Sequence, residues 1–454
     1  MHRPLNSSLA ILLASFALLT QHLVQSKLVF AHYLVGTVDP SSDHAKQDID
    51  QAISVGFDAF ALNVGAPDAD WAKSTIQQLF DYARGTDFKL FFSFDFYGNG
   101  ELAAHEALYQ QFKDEAAYLR YGSDNLPVVS SYSGGALGAD AWRGFKAANN
   151  VYLLPNAEAA ADYYSRPASF FQAWGDAIDG VFSWETAWPD AGDAPANVSS
   201  ARDEDVKAAA DAAGKAYMMG LSTLQYKHCC GDSWYRTGET NLPERMTQIL
   251  SVQPEFTEVI TWNDAGESHY IGPCWPEGLT DEILRYGDSA ANPHAAWQPL
   301  VASFIAAFKA GARDAGAMVP PPGGDGGGAA FAGAMWYRPV TKSCSGDVPR
   351  GSGAALDAVN YAIVLPASSE GMKVRVTSGG RVLATLPAQA GLNYGSVPGM
   401  VAGAQKVELL SPGPGGGGDD DDVVVVAAAS SAVDVSDAPT DGFCNYNYYV
   451  VGLK

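Results

Sequence analysis

Apolar runs recur at regular intervals through the first two thirds of the chain, and most of them become polar at their last positions. A short, continuously apolar run is typical of a strand that is buried on both faces of a parallel sheet. Eight such runs lie at residues 28–35, 57–65, 89–96, 125–132, 150–158, 180–188, 216–226 and 256–264. The pattern therefore predicts eight buried strands.

Segments with apolar residues at helical spacing separate these strands. They lie at residues 41–56, 68–85, 101–120, 159–178, 201–213, 242–252 and 296–315. Alternating strands and helices predict an α/β fold, and eight strands predict a (β/α)8 barrel of the TIM type. A doubly wound open sheet is the alternative. No GxGxxG motif follows a strand, so nothing favours a dinucleotide-binding version of that sheet.

The composition changes after the last of these helices. Residues 319–330 are rich in Pro and Gly, as in a linker. Beyond them, the short runs AIVLPA, KVRVTSGGRVLATL and QKVELL are separated by Gly and Pro, which predicts a small β-sandwich-like domain. We therefore predict a barrel at residues 27–318 and a β-rich accessory domain at residues 331–454, with a low-complexity Gly/Asp segment at residues 411–422.

The N-terminus has the pattern of a secretory signal peptide. Its apolar run, LAILLASFALL, is too short to span a bilayer, and small residues precede Lys27. We assign residues 1–26 to the signal peptide and expect a secreted protein, in the extracellular space or the cell wall. Asn197 begins an Asn-Val-Ser sequence, so it is a candidate site for a glycan.

The five cysteines suit an oxidising compartment. We expect one disulfide between Cys344 and Cys444, and a second between Cys274 and either Cys229 or Cys230. One thiol is then left over, and the sequence does not fix the connectivity. No CxxC pair occurs, so a zinc site is not indicated. We expect no metal and no other cofactor.

The chain is acidic, with 28 Lys and Arg against 51 Asp and Glu and a formal net charge of −23. Such a surface repels phosphates, which argues against nucleic acid or an anionic membrane as a partner. Solvation of the surface explains the acidity equally well. We expect a soluble monomer that takes a neutral ligand.

Active sites in barrels of this kind lie at the C-terminal ends of the strands and in the loops that follow. Carboxylates, amides and aromatic side chains gather at these positions, and basic groups are few. Aromatic rings stack on sugar rings and the polar groups bind hydroxyls, so a carbohydrate site is predicted. Its candidate residues are His32, Asn63, Asp95, Trp184, Glu185, Tyr226, Trp234, Trp262, Asn263, Asp264, Glu267 and His269.

The segment EFTEVITWNDAGESHYIG contains two carboxyl groups three positions apart, those of Asp264 and Glu267. Their Cα atoms are at most about 10 Å apart. Glycoside hydrolysis needs two carboxyl groups about 5–5.5 Å apart for retention, or about 6.5–9.5 Å apart for inversion. Burial beside Trp262 and His269 can keep one of them protonated. The alternative is a surface turn. Asp95, which ends a buried strand, is either capped by the backbone or functional, and Glu185 is a rival acid.

Several of these segments resemble the fungal α-1,3-glucanases, or mutanases, of glycoside hydrolase family 71. They are LVFAHYLVG, DIDQAISVGFDAFALNVG, LFFSFD and VITWNDAGESHYIG, and the resemblance continues into TKSCSGDVPRGSG and CNYNYYV. It implies a secreted, endo-acting and inverting hydrolase of α-1,3-glucan in the fungal cell wall, with no metal.

The resemblance also implies that the catalytic acids are Asp95, Asp264 and Glu267. Our hypothesis makes Glu267 the general acid and Asp264 the base, with Asp95 orienting the substrate or sharing the role of base. Two alternatives stay open. One is a wall-glucan-binding protein without catalysis, and the other is a hydrolase of another linkage.

Overall fold

The computed structural model describes residues 27–98, 101–322, 330–413 and 423–454. The predicted signal peptide, most of the Pro/Gly linker and most of the Gly/Asp segment therefore lie outside the described residues. None of the described helices is both long and apolar enough to cross a membrane.

The N-terminal part of the structure combines a large parallel sheet with a short hairpin. Its strands are β1 (Leu28–Leu34), β2 (Ala59–Val64), β3 (Lys89–Asp95), β4 (Arg120–Tyr121), β5 (Leu126–Tyr132), β6 (Tyr152–Pro155), β7 (Gly180–Ser183), β8 (Ala216–Ser222), β9 (Gln225–Cys229), β10 (Asp232–Arg236) and β11 (Phe256–Ile260).

Helices connect these strands and cover the sheet. They are α1 (His44–Val55), α2 (Asp70–Ala83), α3 (Leu102–Phe112), α4 (Gly138–Asn149), α5 (Pro167–Trp174), α6 (Ala201–Ala212), α7 (Asn241–Val252), α8 (Asp281–Gly287) and α9 (Gln298–Lys309). Short 3-10 helices lie at Val35–Thr37, Gly134–Leu137, Glu185–Ala187, Pro276–Gly278, Ala295–Trp297, Ala315–Ala317 and Ser352–Ala354.

The parallel strands form one curled sheet in the order β5, β3, β2, β1, β11, β8, β7, with β6 on the free side of β5. A single parallel bridge between Asn156 and Phe182 then links the ends of β6 and β7. The interior positions of β1, β3 and β5 are all buried. Continuous apolar runs produced this two-sided burial, as predicted. The C-terminal ends of the strands meet at one edge of the sheet.

The C-terminal part consists of two antiparallel sheets of four strands each. Its strands are β12 (Ala332–Tyr337), β13 (Ala358–Leu365), β14 (Lys373–Ser378), β15 (Arg381–Pro387), β16 (Gly391–Pro398), β17 (Gln405–Pro412), β18 (Val423–Ser430) and β19 (Tyr449–Gly452). The first sheet has the order β16-β13-β12-β19 and the second β15-β14-β17-β18. Apolar side chains of both sheets share one buried cluster.

The structure differs from the predicted elements at several places. Helices α4 and α8 were not predicted, and the helix expected at residues 159–178 is limited to α5. The strand expected at residues 216–226 ends at Ser222, and Gln225 begins the separate β9–β10 hairpin.

One of the two predicted disulfides is present, between Cys344 and Cys444. The second is wrong, because Cys229, Cys230 and Cys274 are free thiols. Cys274 is buried in a small cluster with Ala265 and Tyr270. The other two thiols lie on the hairpin, where Cys230 is exposed.

Candidate active site

A cleft of about 660 Å³ opens where the parallel strands end. The ends of β1, β2, β3 and β5 contribute His32, Asn63, Asp95 and Tyr132 to its lining. The segments after β7 and β11 add Trp184, Glu185, Asp264 and Glu267. Eight of the twelve predicted site residues therefore line one cleft, and Trp234 on the hairpin is the eighth.

The segment after β11 folds back on itself and points two carboxyl groups into the cleft. The hydroxyl of Thr261 accepts a hydrogen bond from the backbone N–H of Asp264, at 2.9 Å. The Oδ1 atom of Asp264 accepts one from the N–H of Glu267, also at 2.9 Å. Asp264 thus shapes the turn, which was the alternative interpretation of the sequence, and it lines the cleft as well.

His269 lies beneath the two carboxyl groups and is fully buried. Its Nε2 atom is 3.2 Å from Oε2 of Glu267 and 3.9 Å from Oδ2 of Asp264. Gln225 donates a second hydrogen bond to the same Glu267 oxygen, at 2.6 Å. Both of these contacts from the described residues go to Oε2 of the Glu267 carboxyl group.

The two carboxyl groups differ in proton affinity. Burial raises the pKa of Asp264, and the positive charge of His269 only partly opposes this effect. Burial also raises the pKa of Glu267, but the hydrogen bond and charge of His269 and the hydrogen bond of Gln225 outweigh it. The net shift of the Glu267 pKa is therefore downward. The opposite directions of the two pKa shifts favour a proton on Asp264 over one on Glu267.

In the described part of the chain, Asp264, Glu267 and His269 form the one group of side chains that could hold a metal ion. One ligand atom of each lies within 4.8 Å of the other two. The hydrogen bond between His269 and Glu267 accounts for this arrangement without an ion.

Asp95 faces the same cleft from the end of β3, which is separated from β11 by β2 and β1. Its Oδ2 atom accepts a hydrogen bond from the side-chain amide of Asn63, at 3.2 Å. Its Oδ1 atom accepts one from the backbone N–H of Tyr97, at 2.8 Å. Each carboxyl oxygen of Asp95 therefore accepts one hydrogen bond, and the two bonds fix the orientation of the side chain.

His32 is held by a carboxyl group inside the sheet. Its Nδ1 atom is 2.7 Å from Oε1 of Glu258, and both side chains are buried. Burial raises the pKa of Glu258, and the hydrogen bond and charge of His32 oppose the rise. The other ring nitrogen of His32 is thereby left for the cleft, where the imidazole edge contacts Trp184.

The opposite wall of the cleft comes from the β9–β10 hairpin and carries basic and aromatic groups. The ammonium group of Lys227 lies 4.8 Å from the centre of the Trp234 ring. Arg236 makes an ion pair with Glu185, at 2.8 Å. The carboxylate of Glu185, the rival acid of the sequence analysis, is therefore engaged by Arg236, and its side chain is 45% exposed.

Four predicted site residues do not line the cleft. Tyr226 and Trp262 are buried in the core, where Tyr226 packs on Tyr286 and Trp262 on Phe60. Their side chains do not provide the predicted sugar-stacking surface.

Asn263 and His269 are also buried. Asn263 accepts a hydrogen bond from the backbone N–H of Leu34 and donates one to the hydroxyl of Thr37. Asn263 therefore ties the segment after β11 to the end of β1. His269 contacts the carboxyl groups of Glu267 and Asp264.

Sequence reasoning missed Tyr132 and Glu258 and did not select Gln225 for the site. Tyr132 ends β5, so the rule that identified Asp95 would have found it. Burial raises the pKa of Tyr132, and the charges of Glu267, Glu185 and Asp95 add to the effect. Glu258 lies within β11 rather than at its end, and no sequence signal separates it from a buried structural residue.

A cleft of carboxylates, amides and indole rings at the ends of parallel strands defines a glycoside hydrolase. Residues 25–454 match the sequence model of glycosyl hydrolase family 71. The chain therefore belongs to this family.

Curated relatives agree with this assignment. A mutanase from Penicillium rubens is 31% identical over 405 residues, which cover 86% of this chain and 83% of the relative. The glucan endo-1,3-alpha-glucosidase agn1 of Schizosaccharomyces pombe is 31% identical over 399 residues, 82% of this chain and 85% of that protein.

Among solved structures, an endo-alpha-mannosidase from Bacteroides thetaiotaomicron, of family GH99, superposes with a TM-score of 0.49 at 12% identity, over 62% of this chain and 98% of its own.

Proposed function

We propose that this protein is secreted and hydrolyses α-1,3-glucosidic bonds within the glucan of fungal cell walls. The observation that carries the proposal is the gathering of Asp95, Asp264 and Glu267 in one cleft. Membership of glycosyl hydrolase family 71 and the names of the relatives support the substrate. The ascus wall endo-1,3-alpha-glucanase of Schizosaccharomyces pombe, 28% identical over 265 residues, points to the same polymer.

The proposal includes a closed barrel and an accessory β-sandwich. Eight parallel strands with one bridge between β6 and β7 support a (β/α)8 barrel at residues 27–318. The shared core of the two C-terminal sheets supports a sandwich within residues 331–454. Asn197 is exposed, which is compatible with a glycan on its side chain.

We assign the proton of the resting site to Asp264, because burial raises its pKa while that of Glu267 is lowered. Asp264 would protonate the leaving oxygen. The ionised Glu267 would stabilise the positive charge that develops at the anomeric carbon. This assignment reverses the sequence hypothesis, in which Glu267 was the acid.

Inversion requires space for a water molecule between the acid and the base. The nearest oxygens of Asp264 and Glu267 lie within 4.8 Å of each other, less than the roughly 6.5–9.5 Å of an inverting pair. We therefore assign the base to Asp95, which approaches the cleft from a different strand. Both of its oxygens accept hydrogen bonds, which fix the orientation of the carboxyl group.

The test uses the secreted protein with insoluble α-1,3-glucan, β-1,3-glucan and starch. Reducing ends should appear with α-1,3-glucan alone, and NMR should show the β-anomer first. Asp95→Asn, Asp264→Asn and Glu267→Gln should each lower turnover by at least about 10²-fold while the fold survives. Binding of α-1,3-glucan without release of reducing ends would instead indicate a binding protein, and release from another polymer would indicate another linkage.

A substrate with a fluoride leaving group separates the roles, because fluoride departs without protonation. On an α-1,3-oligosaccharyl fluoride, Asp264→Asn should regain most of its activity and Asp95→Asn should not. If Glu267→Gln regains activity instead, the sequence hypothesis for the acid is right and our reassignment is wrong.

A further inference from the structure

The C-terminal part of the chain reaches into the cleft. Arg350 and Gly351, which precede β13 in the sequence, line the same cavity as Asp264 and Glu267. This contribution comes from the part of the chain predicted to be an accessory domain. A module that only bound glucan elsewhere would have no residues at this position.

Backbone contacts fix this segment against the β9–β10 hairpin. The N–H of Tyr235 donates to the carbonyl of Arg350 at 2.8 Å, and the N–H of Arg350 donates to the carbonyl of Ser233 at 3.3 Å. A parallel bridge joins Arg350 to Trp234. Arg350 thus pairs with the edge of the hairpin through its backbone alone.

The segment also leaves no room for alternative packing. Gly351 has a φ of +84°, and a Cβ atom there would lie 2.4 Å from the carbonyl oxygen of Tyr235. A Cβ atom at Gly353 would lie 2.7 Å from the carbonyl oxygen of Asp193, in a loop that lines the cleft. Behind the segment, the backbones of Asp347 and Cys444 are hydrogen-bonded, next to the disulfide of Cys444.

The β9–β10 hairpin forms one wall of the cleft and extends away from Asp264 and Glu267. Gln225 at its base donates to Glu267 and is paired with Arg236. Lys227 and Trp234 are paired two residues further along, which is about 7 Å from that base. Because Arg350 bridges to Trp234, its backbone lies two residues along the hairpin from the Gln225–Arg236 pair that is next to Glu267.

The side chains of Arg350, Trp234 and Lys227 have the chemistry to bind a neutral sugar. The Arg350 side chain is 72% exposed, and its only charged contact in the described chain is Asp232 at 3.4 Å. Its guanidinium group offers several N–H donors to hydroxyl oxygens. The neighbouring Trp234 ring offers an apolar face, and Lys227 covers one side of that ring.

We propose that Arg350 and Trp234 form a subsite that binds a glucose unit of the α-1,3-glucan chain beyond the units at the cleaved bond. The C-terminal part then selects long substrates by completing the cleft. This inference rests on the proposed function, because the probe is the proposed substrate.

The test compares Arg350→Ala with the wild type on α-1,3-linked oligosaccharides of increasing length. The backbone of Arg350 makes the contacts that hold the segment, so the variant should fold with an unchanged melting temperature. We expect kcat/KM for a hexasaccharide or longer substrate to fall about tenfold, the value of one hydrogen bond to a charged group. For the shortest substrate that the wild type cleaves, kcat/KM should be unchanged.

Two variants serve as controls. Arg350→Lys keeps the charge but loses the planar set of donors, so it should recover only part of the loss. Arg381→Ala, on an exposed position of β15, removes the same charge far from the cleft and should act as wild type.

The outcomes separate this inference from the proposed function. Wild-type hydrolysis with no effect of Arg350→Ala, or with an equal loss at every length, would overturn the subsite alone. No hydrolysis of any α-1,3-linked substrate by the wild type would overturn the proposed function and the subsite with it.

Discussion

At the scale of single residues, His269 acts to lower the pKa of both carboxyl groups of Asp264 and Glu267. It is buried, and its Nε2 atom reaches Glu267 at 3.2 Å and Asp264 at 3.9 Å. Burial alone would raise the pKa of Glu267, and the hydrogen bond and charge of His269 are the first contributions that oppose it. A carboxylate that must stay ionised while its neighbour keeps a proton therefore depends on this imidazole.

Replacement of His269 by Asn should move the pH dependence in a defined direction. Without the imidazole charge, burial dominates and the pKa of Glu267 rises, so the carboxylate becomes protonated at higher pH. The acidic limb of the kcat/KM profile should therefore shift to higher pH, because this profile reports the free enzyme. His44→Asn is the matched control, since His44 contacts Glu277 and Trp275 and does not line the cleft. An unshifted acidic limb in His269→Asn would contradict this role.

The sequence predicted those site residues whose position at a strand end is visible in the chain. His32, Asn63 and Asp95 follow apolar runs, and the structure brings all three to the cleft. Trp262 follows such a run as well, but its ring turns into the core against Phe60. The direction of a side chain after a strand depends on the loop geometry, which an apolar pattern does not encode.

At the scale of elements, apolar runs predicted the bounds of the buried strands well, but they did not reveal the β9–β10 hairpin or helix α4. Strands β1, β3 and β5 begin and end within one residue of the prediction. The β9–β10 hairpin was merged with the preceding strand, because LSTLQY continues its apolar character beyond Ser222. Helix α4 was missed, since Gly138 and Gly144 weaken the helical signal.

A buried ion pair joins helices α6 and α7 to the sheet, and its loss should destabilise the fold. Asp203 and Arg245 are 2.8 Å apart and fully buried, and Asp203 also accepts a hydrogen bond from Tyr217. Asp203→Ala leaves the guanidinium without its counter-charge, so the free energy of unfolding should fall by about 3–5 kcal/mol.

Denaturant unfolding followed by fluorescence measures this change. The control on the same helix is Asp211→Ala, which removes a carboxylate that is 55% exposed and paired with Lys207. That pair should contribute less than about 1 kcal/mol. Equal losses in the two variants would mean that burial does not decide the contribution of these pairs.

At the scale of the whole molecule, the two parts of the chain share a core. One apolar cluster contains residues of the parallel sheet and of the C-terminal part, among them Trp336 and Tyr448. The indole N–H of Trp336 donates to the carbonyl of Glu239 at 3.0 Å, and the hydroxyls of Tyr235 and Tyr448 are 2.9 Å apart. The sequence predicts a linker and a separate domain from composition, which shows where the chain changes character but not how its parts pack. This division of the chain stays a prediction.

A shared core predicts that the chain unfolds as one unit. The disulfide between Cys344 and Cys444 lies wholly in the C-terminal part and closes a loop with a sequence separation of 100 residues. Replacing both cysteines by Ser should lower the free energy of unfolding by about 2–5 kcal/mol. In scanning calorimetry, the whole transition should move to lower temperature as a single peak, since the sheets cannot unfold without exposing the core of the parallel sheet.

Cys230→Ser, which removes an exposed free thiol, should leave the peak in place. Two peaks, of which only one moves, would show instead that the C-terminal part unfolds independently.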